Sequence, residues 1–164
     1  MQISAEKLPT CLWFDTQAEE AANFYVSVFK NSKVGHVSHY AQDVQGKKAG
    51  SVMVVEFDIN GQAFTALNGG PQYKFTEAVS FQVACESQEE IDYFWGRLSE
   101  GGQEGTCGWL KDKFGLSWQV FPSALPKMLM DSDKDRSARV MGAFMKMKKF
   151  NLEQLTRAYE GHNA

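Results

Sequence analysis

The chain has 164 residues, of which 43% are hydrophobic and 13% aromatic, a balance typical of one folded domain and not of a disordered or fibrous segment. Its 17 Lys and Arg against 20 Asp and Glu give a net charge of −3, so it lacks the basic field that binds a nucleic-acid backbone. Residues 1–7 lack a signal-peptide core, and aliphatic runs such as 52–55 are too short to span a membrane. We therefore expect a cytoplasmic protein that binds neither nucleic acid nor membrane.

Hydrophobic periodicity predicts a strand, a helix and three strands in the first part of the chain. The helix opens at 16–20 and ends at Asn31-Ser32, and Asn60-Gly61 predicts a type I′ turn because both residues tolerate positive φ. The predicted strands are 9–15, 34–41, 51–58 and 62–67.

The second part repeats this order and then becomes helical. Ser87 followed by Glu90 predicts a capping box at the start of a second helix, which ends at Gly101-Gly102, and Asn151 is a plausible cap for the last helix. The predicted strands are 78–85, 106–111 and 116–121, and the predicted tail helices are 125–130, 137–147 and 152–159.

An internal repeat is the most informative feature of the sequence. Glu19-Glu20 aligns with Glu89-Glu90 at an offset of 70, which places Thr10 on Ser80. We predict one α+β domain over 1–164, built from two βαβββ half-domains that form a curved, mainly antiparallel sheet with a cleft and with the helices outside. The half-domains are 8–70 and 77–122, and the helical tail is 123–164.

The sequence resembles the vicinal oxygen chelate superfamily, which includes glyoxalase, bleomycin-resistance proteins and extradiol dioxygenases. More narrowly, it is similar to the PhnB-like family catalogued as 3-demethylubiquinone-9 3-methyltransferase. The resemblance extends from about Leu8 to Tyr159. It rests on the segments Leu12-Trp13-Phe14-Asp15, Ala18-Glu19-Glu20-Ala21, Phe24-Tyr25, 67–71, 88–92, 107–122 and 145–149. Relatives of this kind are commonly homodimers, and exposed strand edges give a physical reason to expect one here.

Enzymes of the superfamily usually hold a divalent metal with His and Glu side chains. By resemblance and by the repeat, the corresponding positions are Thr10, Ser80 and Gln119, with a fourth near Ala66 or Asn68. Neutral hydroxyls and amides are weak ligands for transition metals, so we expect no metal and no cofactor. The remaining candidates are His36 and His39, which point to opposite faces unless a bulge intervenes, and Glu56 and Asp58, which share a strand face.

Neither a methyltransferase nor a thiol enzyme is favoured by the motifs. Gly69-Gly70-Pro71 opens no helix, so the glycine-rich turn that binds adenosylmethionine is missing. Cys11, Cys85 and Cys107 cannot all pair, and nothing local activates any of them, so reduced and mostly buried thiols are expected.

The central strands are rich in aromatic residues, interspersed with a few neutral polar residues, which is typical of a pocket for an aromatic or apolar small molecule. The adjacent Trp118 and Gln119 must point to opposite faces, with Gln119 inward. Asn68 and Gln119 are the strongest single candidates for ligand contact. The full set of predicted ligand-binding residues is Thr10, Phe14, Asn68, Ser80, Trp109, Trp118 and Gln119.

Three functions follow, in this order. The first is a metal-free small-molecule-binding protein of the PhnB-like kind. The second is a metal-dependent enzyme of the glyoxalase or dioxygenase type, which would use ligands not placed above. The third is the methyltransferase activity of the family name, which the missing adenosylmethionine motif disfavours. The sequence leaves open whether the protein is an enzyme, and no catalytic residue is assigned.

Overall fold

The structure, a computed structural model, describes residues 8–162, so the prediction made for residues 1–7 lies outside it. The chain divides into two compact units, the first ending at Phe75 and the second beginning at Thr76. Within the described residues, no helix is long and apolar enough to cross a membrane. The first unit contains β1 (Thr10–Phe14), α1 (Ala18–Val28), β2 (Lys33–His39), β3 (Val52–Ile59) and β4 (Gln62–Asn68).

The second unit repeats this order of elements and adds three helices. Its repeat comprises β5 (Ser80–Cys85), α2 (Gln88–Ser99), β6 (Gln103–Glu104), β7 (Trp109–Lys111) and β8 (Ser117–Pro122). The sheet orders are β1-β4-β3-β2 and β5-β8-β7-β6, and in each sheet the first pair is parallel and the other two pairs are antiparallel. The predicted α+β fold with two βαβββ half-domains is confirmed. The additional helices are α3 (Leu125–Leu129), α4 (Lys134–Phe144) and α5 (Leu152–Glu160).

Helices α1 and α2 each cover one face of the sheet in their own unit. In the first unit, the Tyr25 ring of α1 stacks on Phe57 with centroids 6.0 Å apart, and Phe57 stacks on Phe64 at 5.1 Å. In the second unit, α2 buries Ile91, Trp95 and Leu98. Because each helix presents a narrow apolar stripe, only alternate strand residues can pack beneath it. The two faces of each sheet therefore differ in composition.

The structure corrects the offset of the repeat by one residue in the strands. Phe14 pairs with Asn68 and accepts the Gly69 N–H, while Cys85 pairs with Pro122 and accepts the Ser123 N–H. Phe14 therefore corresponds to Cys85, 71 positions later, whereas the buried helix residues keep the offset of 70. The connection from strand to helix has three residues in the first unit, 15–17, and two in the second, 86–87. Thr10 thus corresponds to Phe81 and not to Ser80.

The helical tail is fixed to the second unit by hydrogen bonds and by one buried ring. The Gln88 side chain accepts from Leu152 N at 2.8 Å and donates to the Phe150 carbonyl at 3.1 Å. The Cys107 and Gly108 N–H groups donate to the carbonyls of 147 and 148 at 2.7 and 2.8 Å. Phe150 is 2% exposed. This segment therefore belongs to the core of the second unit.

Candidate functional site

Three predicted site residues of the first unit lie on the face that α1 covers. Alternation along β1 places Thr10 and Phe14 on the same face as the buried Leu12. Phe14 is buried, and its ring meets Phe75 edge-on with centroids 5.4 Å apart. Asn68, which pairs with Phe14 across the parallel ladder, is also buried. Thr10 therefore does not occupy the face that corresponds to Ser80, because a shift of one residue exchanges the two faces of a strand.

Asn68 holds the start of α1. Its Oδ1 accepts the Ala18 N–H at 2.8 Å, and its Nδ2 donates to the Val52 carbonyl at 3.1 Å. Its own carbonyl accepts the Tyr40 hydroxyl at 2.7 Å. The residue that precedes α1, Gln17, makes no side-chain cap, so Asn68 supplies from β4 the acceptor that a helix start requires. These hydrogen bonds explain why a polar residue is buried here. Contact of Asn68 with a ligand stays a prediction.

The glycines after β4 provide room for an indole ring. The Trp13 Nε1 donates to the Gly70 carbonyl at 2.8 Å, and the Tyr73 ring meets Trp13 edge-on at 5.0 Å. A Cβ atom on Gly69 would lie 2.2 Å from Trp13 Cζ2. Packing against Trp13 therefore explains the requirement for Gly69 without any cofactor.

A shallow hollow of about 330 Å³ with acidic side chains lies on the face of the first sheet opposite to α1. Glu56 pairs with Thr65 and Asp58 pairs with Lys33 across the strands, so all four side chains share this face. The Asp58 carboxylate also accepts the Gly61 N–H at 2.7 Å, which supports the turn between β3 and β4. The predicted shared face of Glu56 and Asp58 is present in the structure.

On the face of the second sheet opposite to α2, three predicted site residues are neighbours. Gln119 Nε2 donates to Ser80 Oγ at 2.8 Å, and Trp109 is the cross-strand partner of Gln119. All three side chains are half-buried. They come from β5, β8 and β7, which are adjacent strands of one sheet. We call Ser80, Gln119 and Trp109 the Gln119 cluster.

Trp118 lies on the opposite face of β8, beneath α2. It is 3% exposed, and its Nε1 donates to Asp112 Oδ2 at 2.9 Å. The other oxygen of Asp112 accepts the backbone N–H groups of Phe114 and Leu116, which shapes the turn between β7 and β8. The Phe81 ring packs on the indole with centroids 5.4 Å apart. These contacts explain the position of Trp118 by core packing.

A small hollow of about 120 Å³ adjoins the Gln119 cluster. Lys111 pairs with Glu77 at 2.5 Å, and this hydrogen bond holds the pKa of the Glu77 carboxyl below its ordinary value. Ser117 is 1% exposed, and its hydroxyl has no hydrogen-bond partner within residues 8–162. Sequence reasoning did not single out Ser117, although its place two residues before Gln119 on one strand was an available signal. The hollow is lined by Glu77, Gln103, Glu104, Gly105, Trp109, Leu110, Lys111 and Ser117.

The remaining chemistry-bearing residues are scattered. Across residues 8–162, no three His, Cys, Asp or Glu side chains form a group that could hold a metal ion. A register shift between 34 and 37 interrupts β2, where the exposed His36 and His39 lie. Burial, together with the nearby Glu90 and Glu86, raises the pKa of the Cys85 thiol to about 12, so Cys85 stays protonated. Cys11 is exposed on β1, contrary to the expectation of mostly buried thiols.

Comparison with known proteins identifies the family. The family model for 3-demethylubiquinone-9 3-methyltransferase matches residues 6–121, and no curated protein sequence is similar to the chain. The PhnB protein from Bacillus cereus is 36% identical with a TM-score of 0.63, over 70% of this chain and 97% of that chain. Protein PA1353 from Pseudomonas aeruginosa is 18% identical with a TM-score of 0.57, over 69% of this chain and 95% of that chain.

A structure of a possible glyoxalase from Bacillus cereus is 15% identical with a TM-score of 0.46, over 68% of this chain and 96% of that chain. The PhnB protein combines more than 30% identity with coverage of most of both chains, and PA1353 agrees in fold. The match of the family model ends at residue 121, so α3, α4 and α5 lie beyond it. The chain therefore belongs to the PhnB-like 3-demethylubiquinone-9 3-methyltransferase family.

Proposed function

We propose that the protein binds an aromatic or apolar small molecule at the Gln119 cluster without a catalytic metal. The observation that carries this proposal is the hydrogen-bonded pair of Ser80 and Gln119 beside the half-buried Trp109. An aromatic face next to a few fixed polar groups is the usual composition of a small-molecule site. The cluster therefore offers stacking from one side chain and directed hydrogen bonds from two others.

The polar groups of the cluster suit a neutral ligand better than a metal ion. A primary amide has two donors and one acceptor oxygen, of which one donor is used toward Ser80. Amide and hydroxyl oxygens are poor ligands for the transition metals that imidazole and carboxylate bind. The Ser80 and Gln119 positions, which the resemblance relates to metal ligands, are therefore better suited to orienting an organic molecule.

Methyl transfer receives no support from the glycine-rich segment after β4. Gly69 and Gly70 accommodate the Trp13 indole, and no helix follows them within the first unit. An adenosylmethionine site of the common type needs a glycine-rich turn that leads from a parallel strand into a helix. The family name therefore describes kinship, and binding at the Gln119 cluster is the better-supported function.

The test uses N-phenyl-1-naphthylamine, a neutral aromatic probe whose fluorescence rises in an apolar environment. We expect Gln119→Ala and Trp109→Leu each to weaken its binding about 2- to 10-fold, because each removes a contact worth roughly 0.5–1.5 kcal/mol. Gln154→Ala, which truncates the same residue type at an exposed position of α5, is the matched control. Equal affinity in the wild-type protein and the three variants would contradict the placement of the site. Elemental analysis of the purified protein tests the metal-free proposal, which about one metal per chain would contradict.

A further inference from the structure

The buried Ser117 hydroxyl is the least explained polar group beside the Gln119 cluster. It is 1% exposed and has no hydrogen-bond partner within the part of the chain that the structure describes. Buried hydroxyls are almost always hydrogen-bonded, because leaving one unpaired gives up its interaction with water. Because Ser117 lines a hollow, a ligand atom that enters the hollow could supply the missing hydrogen-bond partner.

Strand register places this hydroxyl on the face of the proposed binding site. Ser117 pairs with Ser80 on one side and with Lys111 on the other, and it lies two residues before Gln119. Trp109 both lines the hollow and pairs with Gln119. A ring that stacks on Trp109 can therefore direct one substituent toward Ser117.

The charges around the hollow select against an anionic substituent. Lys111 is paired with Glu77 at 2.5 Å, so its positive charge is balanced. A second carboxylate, Glu104, lines the hollow and accepts the Trp95 indole N–H at 2.9 Å. The lining thus has two acidic groups and one basic group, which favours a neutral oxygen over a carboxylate or phosphate.

The volume of the hollow limits the size of the group that enters it. About 120 Å³ is well below the 300–1,000 Å³ typical of a complete ligand pocket. The space suits one end of a molecule, such as a hydroxyl or carbonyl group with the ring edge that carries it. The remainder of the ligand would lie over Trp109 and Gln119.

We propose that this hollow is a subsite for the neutral oxygen substituent of an aromatic ligand, a phenolic hydroxyl or a ring carbonyl, and that Ser117 determines specificity by hydrogen-bonding that oxygen. The inference rests on the proposed function, because it requires the ring to bind at the Gln119 cluster. A site that hydrogen-bonds a ligand oxygen discriminates against the analogue without it, since the buried polar group is then left unpaired.

The experiment compares 2-naphthol with naphthalene, which differ by one hydroxyl, in equilibrium dialysis against the full chain. The wild-type protein should bind 2-naphthol about 5- to 10-fold more tightly than naphthalene, because of one additional hydrogen bond, and Ser117→Ala should bind both equally while keeping the wild-type affinity for naphthalene. Ser27→Ala, which removes a hydroxyl at an exposed position of α1, is the control and should keep the preference for 2-naphthol. Thermal unfolding checks each variant, and Ser117→Ala removes only an unpaired group, so it should remain folded.

The outcomes separate the subsite from the proposed function. If Ser117→Ala keeps the preference for 2-naphthol, or loses both ligands together, the assignment of Ser117 is overturned while ring binding by the wild-type protein stands. If the wild-type protein binds both ligands equally, the subsite is likewise overturned. If the wild-type protein binds neither, the proposed function itself fails for aromatic ligands and the inference fails with it.

Discussion

Replacing Asn68 by alanine distinguishes a structural from a ligand-binding role for this residue. The substitution leaves the Ala18 N–H and the Val52 carbonyl without their side-chain partner, in a place where Asn68 itself is 6% exposed. An unsatisfied buried group costs about 1–3 kcal/mol, and loss of a helix cap costs about 0.5–2 kcal/mol. Counting the Ala18 N–H once, as a lost helix cap, and adding the Val52 carbonyl as one unsatisfied group, we expect Asn68→Ala to lower the free energy of unfolding by about 2–4 kcal/mol.

Urea unfolding followed by tryptophan fluorescence measures this loss, and Asn23→Ala is the matched control. Asn23 is exposed on α1, and its side chain donates to the Glu19 carbonyl four residues earlier, so its removal should change stability by less than about 0.5 kcal/mol. Binding of N-phenyl-1-naphthylamine by the folded Asn68 variant should equal that of the wild-type protein. A loss below about 1 kcal/mol together with weaker probe binding would refute the structural assignment and favour direct ligand contact.

Three further predictions concern the tail, the ion pair at the hollow and the thiols. Phe150→Ala should lower the free energy of unfolding by about 3–5 kcal/mol in the same urea assay, because the ring is fully packed, and a loss under 1 kcal/mol would contradict its place in the core. The Lys111 hydrogen bond lowers the pKa of Glu77 below its ordinary 4.5, so this stabilisation is present above pH 4.5 and disappears as the pH falls below it. Glu77→Gln should therefore flatten the stability profile on that acid side, and an unchanged profile would exclude the linkage. With Ellman's reagent at pH 8, the exposed Cys11 should react fast, whereas Cys85, whose pKa is about 12, should react only on unfolding. Rapid labelling of Cys85 in the folded Cys11→Ser variant would contradict this prediction.

Local sequence signals predicted the caps of two helices and one tight turn. Ser87 Oγ accepts the Glu90 N–H at 3.2 Å, as the spacing of this pair predicts, and Asn151 Oδ1 accepts the Gln154 N–H at 2.9 Å, which confirms Asn151 as the cap of the last helix. Asn60 and Gly61 take φ of 50° and 87°, which the type I′ turn requires. These features depend on a few adjacent residues, so a single sequence contains them.

Other parts of the fold depend on residues far apart in the chain and were placed less well. The start of α1 uses Asn68, which is 50 residues after Ala18, and no local pattern could indicate that hydrogen bond. The two-residue strand β6 is too short to show alternation and was missed. Helix α4 begins at Lys134, three residues before the predicted start, because Asp133 caps it by accepting the N–H groups of Asp135 and Arg136.

The candidate site shows the same division. The resemblance and the repeat named Ser80 and Gln119 together, and alternation along β8 set Gln119 opposite to Trp118. The three-residue strand β7 is too short for its pattern to place Trp109 beside them. The one-residue difference between the connections 15–17 and 86–87 reversed the faces assigned by the repeat, and that difference is too small to detect in two diverged halves. A constant repeat offset in the helices therefore does not show which face of the sheet a strand residue occupies.

The contact between Gly108 and Phe150 determines how the tail could be removed in a redesign of the chain. A Cβ atom on Gly108 would lie 2.5 Å from Phe150 Cε2 and 2.6 Å from the Val120 carbonyl oxygen, at a φ of +78°. Removing the tail would relieve only the first of these three restrictions, and it would leave two backbone N–H groups of the loop without acceptors. A minimal version of this protein that ends after β8 therefore needs new residues in the 105–108 loop. Removal of the tail and redesign of residues 105–108 must therefore be carried out together.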